Sequence, residues 1–367
     1  MSFSKELFDT RGRIFQRMRG LGYILAGTLV LIVTNSLACV GAEGVREFRF
    51  ASVEAGRSIL SSKDDFVQRM SAFDRKVRLQ KEIDPGEKAL LQFAAAQVLE
   101  WSEEEKDVLN TAIHILEPEL AKLGLTWDDP VIIIKTTGKE EGNAAYTRGK
   151  AIVFPVQKIS TIQKPPTRLF AHELFHVISR ANEPLRDSLF ELIGFKRVKE
   201  IRLHSALDQI RITNPDAPKM QHVIKLTLRP GESVFVTPYL FTKREFAADT
   251  TSLFQYLNFK LLPVRVDPNG IWHAQSENLD QDLITPDHPD YWRQIRRNTQ
   301  YIIHPEEIIA DNFSMMLTNA KVTNTDLVEA IREQFQEVGE LLPSEPKQTD
   351  LSTHFSSFCS AAISVVM

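Results

Sequence analysis

The five residues from His172 to His176 constrain this chain more than any other stretch. The two histidines are four residues apart, so on a helix their imidazoles lie on one face, one turn apart. One metal ion can bind both rings, and Glu173 beside them can act as a base toward a water molecule. The stretch predicts a metal site for zinc, built on a helix.

The surrounding residues favour a helix with two different faces. Phe170, Leu174, Val177 and Ile178 recur at helical spacing and predict a buried side. The two histidines lie on the opposite side, where a cleft can open. Prolines 165 and 166 precede the helix, at positions that suit a first turn. A chance match on an ordinary buried helix is the alternative, and metal content separates the two interpretations.

A hydrolytic zinc site usually has three protein ligands and a position for water, so another ligand is expected elsewhere. The residues directly after His176 offer no histidine, but a second helix is predicted from Pro305 onward. On that helix Glu307 and Asp311 lie nearly opposite the apolar stripe, whereas Glu306 projects toward the stripe's side. This geometry predicts Glu307 as the third ligand and no role for Glu306. A solvated acidic helix face is the alternative.

With these motifs the chain resembles the gluzincin metallopeptidases, the thermolysin-like group of zinc enzymes. The resemblance implies one zinc ion per chain, held by His172, His176 and Glu307. It implies that Asp311 orients one of the ligating histidines. It also implies that Glu173 acts as the general base in peptide-bond hydrolysis.

Enzymes of this group also need a donor that stabilises the oxyanion, usually a tyrosine or a histidine. Tyr301 and His304 lie close to Glu307 in the sequence and are the two candidates for this role.

Residues 142–155 resemble the hairpin that precedes the zinc helix in gluzincins, where an antiparallel edge strand pairs with extended substrate. Asn143 and Ala144 resemble the Asn-Ala pair that contacts the substrate backbone in thermolysin-like enzymes. An edge strand suits this task because its unpaired N–H and C=O groups recognise any extended main chain. A hairpin with no binding role is the alternative.

The order of predicted elements indicates an α+β fold with a zincin-like lobe. Residues 43–130 are predicted to be a helical N-terminal region, with a helix capped at Ser102. Residues 131–340 form the predicted metallopeptidase domain, which contains a β-rich insertion at 211–266 and ends in helices. Residues 341–367 are predicted to be a C-terminal tail.

Residues 1–42 have the features of an export signal: a positive leader, an apolar run and small residues before Ala42. We therefore expect an exported protein, periplasmic or extracellular. Lipidation at Cys39 is an alternative to cleavage after Ala42, and a retained anchor is a third outcome. Contact with a membrane is expected only through such a lipid or an uncleaved signal.

Net charge and cysteine content indicate which partners and cross-links the chain is expected to have. A net charge of −4 and a sequence pI of about 6.2 argue against nucleic acid as the main partner. The chain has 2 cysteines, one of them in the leader, so no internal disulfide is expected after processing. The expected partner is a peptide or protein substrate. The alternative is a catalytically inactive zincin-fold module that binds peptides or proteins, although Glu173 argues against it because structural zinc needs no base there.

Overall fold

The computed structural model describes residues 46–127, 129–161, 163–250, 252–275 and 282–341. The predicted export signal with Cys39, and the tail beyond Leu341, lie outside these residues. The described residues form the predicted α+β fold, and the structure divides its strands between a four-stranded and a five-stranded sheet. Within the described ranges, no helix is both long and apolar enough to cross a membrane.

Helices dominate the N-terminal part, and polar side chains fix where several of them begin. Ser52, Asp64 and Ser71 each accept a hydrogen bond from a first-turn amide. Ser102 and Glu105 form the predicted capping box. The helices are α1 (Val53–Leu60), α2 (Asp65–Arg69), α3 (Ala72–Leu79), α4 (Gly86–Ala96) and α5 (Glu103–Lys122).

The helical prediction is wrong at Phe48–Phe50, which form strand β1 and pair in parallel with β2 (Val131–Thr136). The ring of Phe48 packs against Trp127 at 5.2 Å. Three residues are too few to show a periodicity, and their partner strand lies far along the chain.

The first sheet carries the predicted hairpin. Its strand order is β1-β2-β4-β3, with β3 (Tyr146–Arg148) antiparallel to β4 (Ala151–Pro155) and at the edge. The histidine-bearing helix α6 (Thr167–Ala181) packs on this sheet, where Phe170 stacks on Phe154 at 6.0 Å. The hairpin prediction, including its edge position, is confirmed.

A second, antiparallel sheet follows α7 (Glu183–Glu191) and extends beyond the predicted insertion at both ends. It has its own apolar cluster, which includes Tyr239, Phe241 and Leu262. The strands run in chain order, and α8 (Ser205–Ile210) lies between the first two. They are β5 (Phe195–Arg197), β6 (His222–Arg229), β7 (Glu232–Phe241), β8 (Asn258–Val266) and β9 (Trp272–Ala274).

The chain returns to helices with α9 (Pro289–Ile295), α10 (Pro305–Leu317) and α11 (Thr325–Leu341). Helix α10, which is described in full, is buried on every side; of its residues only Asp311 is partly exposed. It packs against α5, α6, α7 and α11. The alternative interpretation of a solvated acidic face on α10 is therefore wrong, because neighbouring helices cover Glu306 and Glu307 as well as the apolar stripe.

Candidate metal centre

The three predicted ligands meet where α6 and α10 pack together. Nε2 of His172 lies 3.1 Å from Oε2 of Glu307, and Nε2 of His176 lies 3.6 Å from the same oxygen. All three side chains are buried, although 135 residues separate His172 from Glu307.

These positions fit a metal ion. A tetrahedral ion with bonds of about 2.0–2.2 Å holds its ligand atoms about 3.3–3.6 Å apart, close to the distances found here. Nε2 of His176 is buried and has no hydrogen-bond partner among the described residues, which is costly unless a ligand satisfies it. Two imidazole nitrogens and a carboxylate oxygen are a donor set that zinc accepts with a position left for water.

Each of the two histidines also has a carboxylate near its Nδ1 atom, the ring nitrogen that faces away from Glu307. For His172 it is the predicted Asp311, whose Oδ1 lies 3.8 Å from Nδ1. Arg168 donates to this Oδ1 at 3.0 Å, and the hydroxyl of Thr299 donates to Oδ2. Such carboxylate–histidine pairs fix the tautomer and the orientation of a metal-binding ring.

The carboxylate behind His176 belongs to Glu306, which corrects the prediction that this residue has no role. Oε1 of Glu306 lies 3.0 Å from Nδ1 of His176 and also accepts the hydroxyl of Ser179. Glu306 points toward the buried side of α10, as its helical position indicates. That side holds α6, so burial brings the carboxylate to the site instead of excluding it.

The electrostatics of the cluster favour positive charge. Burial opposes protonation of His172, yet hydrogen bonds to Asp311 and Glu307 outweigh it and raise its pKa well above the usual range. Burial likewise opposes protonation of His176, but Asp216 and Glu307 raise its pKa to about 9. Burial works against ionisation of Glu307, but the two histidines lower its pKa to about 2. A cation can take the place of the protons that these rings attract.

Glu173 faces the same cleft but is not one of the three candidate metal ligands. It lines a cavity of about 390 Å³ together with His172, Glu307 and Tyr301. Its Oε2 is buried and has no partner within the part of the chain that the structure describes. Burial, assisted by the carboxylate of Asp216, raises the pKa of Glu173 to about 8. A carboxyl group that titrates near neutrality is suited to accept and return a proton.

Of the two oxyanion candidates, the structure brings only Tyr301 to this cavity. Its ring lies 5.9 Å from the ring of His172. Although 44% of the residue's surface is exposed, desolvation in the cleft and nearby carboxylates, Glu307 first among them, raise its pKa well above the usual value, so the phenol keeps its proton. His304 instead caps α10, where its Nδ1 accepts the amide of Glu306, and it lines a neighbouring cavity.

Of the predicted substrate-binding pair, Asn143 and Ala144, the structure likewise brings only one residue to this cavity. Among the described residues that line the metal-side cavity are Ala144 and Ala145, but not Asn143. Asn143 adopts the left-handed conformation, with φ of 66°, and its amide donates to the carbonyl of Gly138. It therefore shapes the turn into β3, whereas Ala144 faces the cleft.

Two residues of the site carried no signal in the sequence. Nδ2 of Asn214 donates to Oε1 of Glu307 at 2.5 Å. Asp216 has a carboxylate oxygen within 4.8 Å of ligand atoms of Glu173 and His176. Both follow α8 in an Asn-Pro-Asp turn, and no spacing rule connects such a turn to a distant metal helix.

Comparison with known proteins yields one partial match. Residues 136–184 match a family model described as the eCIS core domain. The match covers the β3–β4 hairpin, helix α6 and the start of α7, and it leaves Glu307 outside. This family is associated with zincin-like, metallopeptidase-like modules. No curated protein and no solved structure matches the chain.

Proposed function

We propose that this chain is an exported, zinc-dependent metallopeptidase of the gluzincin type. One observation carries the proposal: His172, His176 and Glu307 converge in a buried cluster, and the cavity beside them contains the unpartnered carboxylate of Glu173. A structural metal site needs no such base. The match of residues 136–184 to a family with peptidase-like modules supports the same interpretation.

Each residue then has a definite task. A zinc ion, when bound, supplies a Lewis acid for the scissile carbonyl and for the attacking water. Glu173 accepts the proton of that water and donates it to the nitrogen of the leaving amine. Tyr301 donates its phenolic hydrogen to the carbonyl oxygen as negative charge develops there. Glu306 and Asp311 hold the rings of the ligating histidines in position.

The substrate in this proposal is a peptide or protein segment in an extended conformation. Strand β3 ends the first sheet beside the metal cluster, and an edge strand recognises backbone independently of sequence. Export would place the enzyme in the periplasm or outside the cell. Mass spectrometry of the mature protein distinguishes cleavage after Ala42 from lipidation at Cys39, since the two give different N-terminal residues.

The proposal is tested by metal analysis of the purified protein and by digestion of a mixed peptide library with and without a chelator. We expect about one zinc per chain, cleavage of many peptides, and loss of cleavage on chelation that added zinc restores. Bound zinc with no cleavage across the library would favour the inactive binding module. Absence of bound metal from the folded protein would contradict both.

The two supporting carboxylates give a further prediction. Glu306→Gln and Asp311→Asn should each weaken zinc binding or activity by roughly 10–100-fold. This is the usual effect of removing a carboxylate that hydrogen-bonds to a metal-binding histidine. Competition with a zinc-sensitive dye measures the affinity. Glu333→Gln is the matched control, because that side chain is exposed on α11. If Glu306→Gln behaves like this control, its contact with His176 has no part in metal binding.

A further inference from the structure

Residues 213–216, between α8 and β6, lie across the cleft in front of the metal cluster; we call them the 213–216 segment. Asn214 bonds to the metal-ligand candidate Glu307, as described above. Oδ1 of Asp216 accepts both the backbone amide of Thr147, at 2.7 Å, and the hydroxyl of that residue, at 2.6 Å. The segment thus contacts the ligand set at one end and strand β3 at the other.

The contact with Thr147 occupies the edge on which a peptide would pair. In an antiparallel ladder, alternate residues turn their N–H and C=O groups away from the partner strand. Thr147 stands opposite Ile152 on β4, and its amide donates to Asp216. Asp216 Oδ1 therefore takes the position that a backbone carbonyl of an extended substrate would take.

Asp216 also separates two cavities along β3. The metal-side cavity contains Ala144 and Ala145, which precede the strand. A second cavity of about 280 Å³ contains Thr147 and Gly149 at the far end of the strand. Asp216 lines both. A peptide that follows β3 from one cavity into the other would have to pass through the position of this side chain.

Residues of α3, together with Arg180 of α6, hydrogen-bond to the backbone of the segment. The amide of Thr213 donates to Asp74 at 2.9 Å, and Arg78 donates to the Thr213 carbonyl at 3.1 Å. Arg78 is itself buried in ion pairs with Asp74 and Glu141. Nη2 of Arg180, on α6, donates to the hydroxyl of Thr147 at 2.9 Å and to the carbonyl of Asp216 at 3.5 Å. The position of the segment in the cleft is therefore fixed by hydrogen bonds to several charged side chains.

We propose that the 213–216 segment is an internal inhibitor that occupies the peptide-binding edge, with Asp216 in place of substrate backbone. The inference rests on the proposed peptidase function. The protein as folded here is then a latent form, and extended peptides bind fully only when the segment leaves Thr147 and Glu307. Hydrogen bonds to charged groups are strong enough for this competition to reduce peptide affinity by about 10–100-fold.

The test compares wild type with Asp216→Ala, both loaded with zinc, using two inhibitors. Acetohydroxamate is small and probes the metal alone, whereas a tripeptide hydroxamate needs the metal and the β3 edge together. We expect Asp216→Ala to bind the tripeptide hydroxamate about 10–100-fold more tightly, with little change for acetohydroxamate. Turnover of library peptides should rise by a similar factor. Asp249→Ala, an exposed aspartate of the same β-rich region, should change neither affinity.

Asn214→Ala provides a second route, because it loosens the other end of the segment without removing a charge. It should also tighten the tripeptide hydroxamate, and circular dichroism and zinc content should show that both variants keep their fold. If neither variant binds the tripeptide more tightly, the segment is not an inhibitor. If turnover falls while zinc is retained, Asp216 assists catalysis and the proposal is overturned. Tighter tripeptide binding with no turnover in any variant would support the segment's role while contradicting the peptidase function.

Discussion

Replacing Glu173 by glutamine should leave zinc in place and reduce peptide hydrolysis by several orders of magnitude. Glutamine keeps the size of the side chain and cannot accept a proton at neutral pH. Loss of a general base alone accounts for about 10²–10⁴ in rate, and failure to protonate the leaving amine adds to it. The carboxylate has an unpartnered buried oxygen, so the substitution breaks none of the described hydrogen bonds at that atom. Peptide-library turnover and zinc content should be measured on the same samples.

The matched control is Glu191→Gln, at the exposed end of α7, which should retain full activity. Equal cleavage by wild type and Glu173→Gln would refute the assigned base, even if the metal site stands. Loss of zinc from Glu173→Gln would mean that this carboxylate is a ligand, and the roles of Glu173 and Glu307 would need to be reassigned.

Replacing His176 by alanine should remove most of the bound zinc. Zinc-finger peptides, with four ligands, bind zinc with about 10–16 kcal/mol, so one ligand contributes about 2.5–4 kcal/mol and a factor of roughly 10²–10³ in affinity. The ring is fully enclosed between Glu306 and Glu307, and alanine would also leave the carboxylate of Glu306 with one hydrogen bond fewer. Zinc per chain after dialysis measures the loss.

Thermal unfolding gives an independent readout for the same variant. A metal that binds only the native state raises Tm, so a chelator should lower the Tm of wild type and leave that of His176→Ala unchanged. His114→Ala, at an exposed position on α5, should behave like wild type in both measurements. Full zinc occupancy in His176→Ala would exclude this residue as a ligand.

The long separation between the two halves of the metal site is explained by the second sheet. After α6 and α7 the chain forms β5 to β9 before it returns through α9 to α10. The same excursion contributes Asn214 and Asp216 to the cleft. The β-rich part of the chain therefore adds groups to the site as well as separating its ligands.

Local sequence patterns were enough to determine the elements that carry the candidate site. The spacing of His172 and His176 placed both rings on one face of α6, because the geometry of one helical turn is set by the backbone. The capping box at Ser102 and the turn between β3 and β4 are likewise local features, and the structure contains both.

Tertiary structure decided which side chains meet. The position of Glu306 on its own helix placed it on the side of the apolar stripe, but only the packing of α10 against α6 shows that this side brings the carboxylate to His176. His304 is near Glu307 in sequence, yet its use as a helix cap turns it away from the metal-side cavity. Strand β1 and the 213–216 segment depend on partners far along the chain. Periodicity reports how one element is built, whereas contacts between distant elements follow from how their surfaces fit together.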